Sequence, residues 1–65
     1  MLDPITEREL EVLKLLDTDL SHREIAARLF ISLATVKTHI QHLYRKLGVH
    51  ARHQAVALGK ERGLL

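Results

Sequence analysis

Between Ser32 and Leu47 the chain carries Thr35, Lys37, Thr38, Gln41, His42, Arg45 and Lys46, and no carboxylate. On a helical wheel at about 100° per residue, Val36, Ile40, Leu43, Tyr44 and Leu47 share one side, at the i, i+3, i+4, i+7 spacing of a core-facing stripe. Ala34, Thr38, Gln41, His42 and Arg45 occupy the other side, flanked by Lys37 and Lys46. Such a face offers hydrogen-bond donors, acceptors and positive charge together. That chemistry suits base edges and phosphates in a DNA groove.

Other chemistries fit poorly. His39 and His42 are spaced i, i+3, as are His50 and His53, but there is no cysteine and no carboxylate near either pair in sequence. Structural zinc takes four ligands, so no metal site is expected. His39, at the edge of the apolar stripe, reads as wedged between helices or lying near a phosphate. Ser21 and His22 are the nearest approach to a nucleophile and base, and both sit at a helix start. No glycine-rich phosphate loop accompanies them, and a chain this short has little room for a pocket. The expectation is no enzyme and no cofactor.

The elements that must position the basic helix fit an all-α reading. At 65 residues the chain is one domain, of a size at which folding buries only about 60% of the exposable surface. Without cysteine no disulfide can assist, and strand-like alternation is nowhere sustained. A compact four-helix domain is expected. No apolar run approaches a membrane span and no basic-then-apolar leader precedes the first helix, so the expected location is the cytoplasm. The net charge of +2 is unevenly placed. Residues 1–20 hold six acids (Asp3, Glu7, Glu9, Glu11, Asp17, Asp19) against Arg8 and Lys14, a net −4. Residues 21–65 hold Glu24 and Glu61 against eight Lys and Arg, a net +6, together with all five histidines. This asymmetry points to a polyanionic partner for the later part.

Cap signals mark the helix starts. Thr6 with Glu9, and Ser21 with Glu24, are capping boxes, and the pairs Ile5–Leu10 and Leu20–Ile25 form their hydrophobic staples. Ser32 caps a third helix, with Ile31 and Val36 as its staple. Helices are predicted at about 7–17, 22–29, 33–47 and 52–62. Gly48 ends the third as a left-handed residue, with Val49 folding back, and Gly63 stops the fourth. Ala51, at the cap of the fourth, has no side-chain acceptor, at a cost of about 1 kcal/mol relative to Ser or Asp. The second and third helices are joined by only a few residues, and small Ala26 lies where they would cross. Together they read as a helix-turn-helix.

The run Glu24-Ile25-Ala26, Leu29-Phe30-Ile31-Ser32, Thr35-Val36-Lys37-Thr38-His39 and Lys46-Leu47-Gly48-Val49 resembles the DNA-binding domain of LuxR-type (NarL/FixJ-like) bacterial transcription regulators. Thr6-Glu7-Arg8-Glu9-Leu10-Glu11-Val12-Leu13 and Arg52-His53-Gln54-Ala55 match in order and distance, so the resemblance covers essentially residues 1–65. It implies a sequence-specific binder of double-stranded operator DNA, with the third helix in the major groove. It also implies a homodimer on DNA through the fourth helix, where Val56 and Lys60 are the contact candidates, and a contact with RNA polymerase. The base-reading positions of the family fall on Lys37, Thr38 and Gln41. Arg23, Thr35, His42, Arg45 and Lys46 suit phosphates. In such regulators this domain follows a receiver or ligand-sensing region. None lies in these residues, and the chain reads as an output domain or a small stand-alone member.

Four positions depart from the family pattern: Asp19 stands for a glycine, Ala34 for Asn, Ala51 for Ser or Thr, and His22 for Asn. A left-handed Asp19 would be strained. Two other readings share these features. A protein-interaction module would show an apolar patch on the fourth helix, with Val56, Leu64 and Leu65 exposed. A sigma-factor helix-turn-helix is disfavoured by the Lys46-Leu47-Gly48-Val49 ending and by Arg52-x-Gln54-Ala55.

Overall fold

Each helix begins where a side chain accepts from backbone N–H groups at or just before its first turn. The computed structural model describes residues 4–65, and Asp3, one of the six acids counted above, lies outside them. Four α-helices follow in order: α1 Glu7–Leu16, α2 His22–Leu29, α3 Leu33–Leu47 and α4 Arg52–Glu61. Both capping boxes are formed. The Thr6 N–H donates to Glu9 Oε1 at 3.0 Å and the Glu9 N–H returns a bond to Thr6 Oγ1 at 3.1 Å. Ser21 and Glu24 repeat this at 2.9 and 3.1 Å. Ser32 Oγ accepts from the Thr35 N–H. Ala51 makes no side-chain cap. Instead Gln54, in the first turn of α4, accepts from the His50 N–H at 2.9 Å and ties down the entry to the helix.

Three helices end in the same double turn, in which the last residues donate back across five and three positions. Val49 and Gly48 close α3 onto Tyr44 and Arg45, Ile31 and Phe30 close α2 onto Ala26 and Ala27, and Leu64 and Gly63 close α4 onto Gly59 and Lys60. The left-handed residue is glycine in two of these turns and Phe30, at φ 59°, in the other. Asp19 is not left-handed, and this corrects the expected strain. The α1 end is closed by the Thr18 hydroxyl, which donates to the Leu15 carbonyl and accepts from the Leu20 N–H.

The core is Val12, Leu13 and Leu16 of α1, Ile25 and Ala26 of α2, Val36, Ile40, Leu43 and Leu47 of α3, and Ala55 of α4. The predicted inner stripe of α3 is therefore the buried one, with Tyr44 half-buried at its edge. Both α1 and α2 pack on α3, so α3 is gripped from behind and its opposite face stays open. Ala26 is buried in the core on α2, where a larger side chain would overpack it. Gly59 lets α4 approach α1, since a Cβ there would lie 3.1 Å from Leu13 Cδ2 and from Leu65 Cδ1. Leu64 and Leu65, expected in an exposed patch under the interaction-module reading, instead pack against the core.

Candidate nucleic-acid interface

The outward face of α3 is built as the wheel placed it. Ala34, Thr35, Lys37, Thr38, Gln41, His42 and Arg45 are all exposed, while His39 is half-buried at the boundary. Among the described residues, Lys37, Arg45 and Arg23 take part in no ion pair. Their charges have no close acid to neutralise them and so can attract an anion, a pull that salt weakens. Thr38 Oγ1 donates to the Ala34 carbonyl at 3.1 Å. Toward a partner it therefore offers its methyl group and acceptor lone pairs, which suits contact with a thymine methyl. The Thr35 hydroxyl lies 2.8 Å from Ser32 Oγ, so both belong to the cap at the start of α3. No acid stands in that first turn to quench the positive end of the helix dipole.

Lys46 departs from this pattern. Its ammonium reaches Glu9 Oε1 at 2.6 Å and the Pro4 carbonyl at 3.0 Å. The side chains are only 17% and 4% exposed, Lys46 and Glu9 respectively. A buried carboxylate needs a cation, and Lys46 lies beside Leu47 at the inner edge of α3, where it can supply one. Burial opposes the Glu9 charge, but the Lys46 and Thr6 bonds outweigh it and hold its carboxyl below the usual range. Lys46 is a clasp between α3 and the start of α1, and its ammonium, expected from sequence at a phosphate, is engaged within the domain.

Arg52 is a second clasp, which sequence reading used only as a motif residue. Its Nε donates to the Leu16 carbonyl at 3.0 Å and a terminal nitrogen donates to Thr18 O at 2.8 Å. These carbonyls lie at and just beyond the end of α1, where helix groups lack internal partners. Neither clasp has a local signature, because the partners lie 37 and 34 to 36 residues apart.

Away from α3, a shallow groove runs between the end of α1 and α4, lined by Leu16, Asp17, Arg52, His53, Val56 and Lys60. Lys60 Nζ lies 3.6 Å from Asp17 Oδ1 across it, with both side chains well exposed. Among the described residues no three His, Asp or Glu side chains gather as a metal cluster. No described helix is long and apolar enough to cross a membrane.

Comparison with known proteins converges on one family. Residues 3–58 match the GerE family model, described as bacterial regulatory proteins of the luxR family. The nitrate/nitrite response regulator protein homolog of Haemophilus influenzae is 54% identical over 57 residues, covering 88% of this chain and 27% of that protein. The chain thus spans about a quarter of that relative. The crystal structure of the response regulator ChrA, from a heme-sensing two-component system, superimposes with a TM-score of 0.93 at 46% identity, over 97% of this chain and 31% of that one. The transcription factor GerE gives 0.85 at 42% identity, over 92% of this chain and 90% of GerE. That last match pairs the chain with a protein of nearly the same extent. With its four helices and open basic helix face, the chain belongs to the luxR family of bacterial regulatory proteins, as a helix-turn-helix DNA-binding domain of a transcription regulator and not an enzyme.

Proposed function

We propose that α3 lies in the major groove of operator DNA and reads it directly. Lys37 donates to guanine O6 and N7, Gln41 pairs bidentately with adenine, and the Thr38 methyl meets a thymine methyl. Arg23, Thr35, His42 and Arg45, with the free N–H groups at the start of α3, hold the flanking phosphates. The observation that carries this reading is the α3 face itself: exposed donors, and cations that pair with no acid among the described residues. Two copies bind two half-sites with the α4 faces around Val56 and Lys60 in contact. The groove beside α4 supports this, since a second copy would cover its half-buried Val56. The names of the relatives support placing the domain at the output end of a response regulator, acting on DNA in the cytoplasm at the nucleoid.

Titration against random-sequence duplex at several salt concentrations tests the reading. The logarithm of affinity should fall with the logarithm of salt at about −0.9 per phosphate neutralised, a slope of several units. A flat salt response, or no binding at low salt, would overturn it.

A further inference from the structure

Among the described residues, Phe30 is the one large apolar side chain left exposed, at 94% of its surface. Its backbone is held firmly all the same. Leu29 and Ile31 on either side pack against the core, and the Phe30 and Ile31 N–H groups donate to the Ala27 and Ala26 carbonyls at 3.3 and 3.1 Å. The conformation at Phe30 is left-handed, at φ 59°, where the other two turns of this kind use Gly48 and Gly63. Any side chain is strained there. The fold thus carries the strain and gains almost no burial from the ring in return. A strained residue whose side chain does so little for the fold points to a task outside it.

The place of the ring narrows that task. Phe30 stands two residues before Ser32, the cap of α3, so at most about 7 Å separates their Cα atoms. A DNA strand rises about 3.4 Å per nucleotide, which puts the ring within a nucleotide or two of a phosphate at the start of α3. Arg28, on the last turn of α2, is exposed and pairs with no acid among the described residues. No acid occurs in the sequence between Glu24 and Glu61. A phenyl ring offers a phosphate no hydrogen bond, but the deoxyribose between two phosphates presents apolar C–H groups to it. We propose that Phe30 packs against a deoxyribose of the strand whose phosphate lies at the start of α3. The inference rests on the DNA reading above. One ring is far smaller than the roughly 800 Å² per partner of a stable protein interface, so it suits the rim of the DNA contact rather than a docking site of its own. Every nucleotide carries the same sugar, so this contact is blind to sequence. It neutralises no phosphate and adds nothing to the salt slope. The backbone that carries the ring is already fixed, so little ordering is needed when DNA arrives.

Phe30 is the only phenylalanine in the chain, so NMR of the domain labelled at phenylalanine reports this one ring. On titration with a duplex of defined sequence at low salt, the ring signals should shift and show intermolecular NOEs to deoxyribose H4′ and H5′ protons. Affinities of wild type, Phe30→Tyr and Phe30→Gly for random-sequence duplex, at several salt concentrations, are measured beside it. The Tyr variant keeps the ring and should bind as wild type does. The Gly variant should bind about tenfold more weakly, with the same salt slope and a melting temperature no lower than that of wild type. Binding with silent ring signals, or with NOEs from the ring to a second copy of the domain instead of to sugar, would overturn the inference and leave the DNA reading standing. So would equal affinity of the Gly variant, or a loss that follows a lower melting temperature. Failure of all three proteins to bind duplex at low salt would overturn the DNA reading, and the inference with it.

Discussion

Two sets of cations divide the basic charge of α3 and its neighbours. Lys46 and Arg52 point inward, where they satisfy a buried carboxylate and the loose carbonyls at the end of α1. Lys37, Arg45 and Arg23 point outward and pair with no acid among the described residues. Residue type does not separate the sets, since each contains lysine and arginine. What separates them is the neighbour. Lys46 comes one residue before buried Leu47 and faces Glu9, whereas Arg45 lies on the exposed arc and faces solvent. A positive charge on a recognition helix is therefore a ligand contact only where the fold has not already claimed it.

The largest expected effect breaks the inward set. Lys46→Met leaves the Glu9 carboxylate buried without its cation and should cost about 3 kcal/mol, a large part of the stability of so small a domain. Urea denaturation measures it. A loss below about 0.5 kcal/mol would place Lys46 with the outward cations. The outward set should behave in the opposite way. Lys37→Ala or Gln41→Ala should cost about 1–3 kcal/mol of discrimination at one base pair, with stability unchanged within about 0.5 kcal/mol. Arg45→Ala should weaken all duplexes alike and reduce the salt slope by about 1. Selection of bound sequences from a random pool separates the two behaviours. If Arg45→Ala shifted preference and Lys37→Ala did not, the docking orientation would be wrong.

Acid sharpens the same contrast. Glu9 titrates below its unfolded value of 4.5 in the folded domain. The stability it contributes is thus complete above that value and is lost as pH falls through and below it. Thermal melting at descending pH should show the fall in wild type, and Glu9→Gln should flatten it. The smallest effect concerns the turn between α2 and α3. Phe30 is 94% exposed and holds a left-handed conformation that glycine holds in the other two turns of this kind. Phe30→Gly should raise stability by about 1 kcal/mol, measured as a higher melting temperature. A decrease would mean that the ring contributes more to the fold than its exposure indicates.

The fold was legible because its signals are local. Thr6 with Glu9, Ser21 with Glu24, and Ser32 announce their helices within three residues, and Gly48 announces an end. The α3 face was legible for the same reason, since helical periodicity alone separates Thr38 and Gln41 from Ile40 and Leu43. What sequence could not show is contact across the chain. The Glu9–Lys46 bond joins residues 37 positions apart, so Lys46 looked like any other basic residue on the flank of a basic helix. The strain expected at Asp19 is absent for a related reason. The end of α1 is closed by the Thr18 hydroxyl, so no residue there has to become left-handed.

The division of the cations is tested most directly by amide chemical shifts of the domain during titration with duplex DNA at low salt. The account predicts the largest changes at Thr35, Lys37, Thr38, Gln41, His42 and Arg45, with a smaller one at Arg23 and little change at Glu9 and along α1. Changes centred on α1, or on Val56 and Lys60 with the α3 face silent, would contradict it.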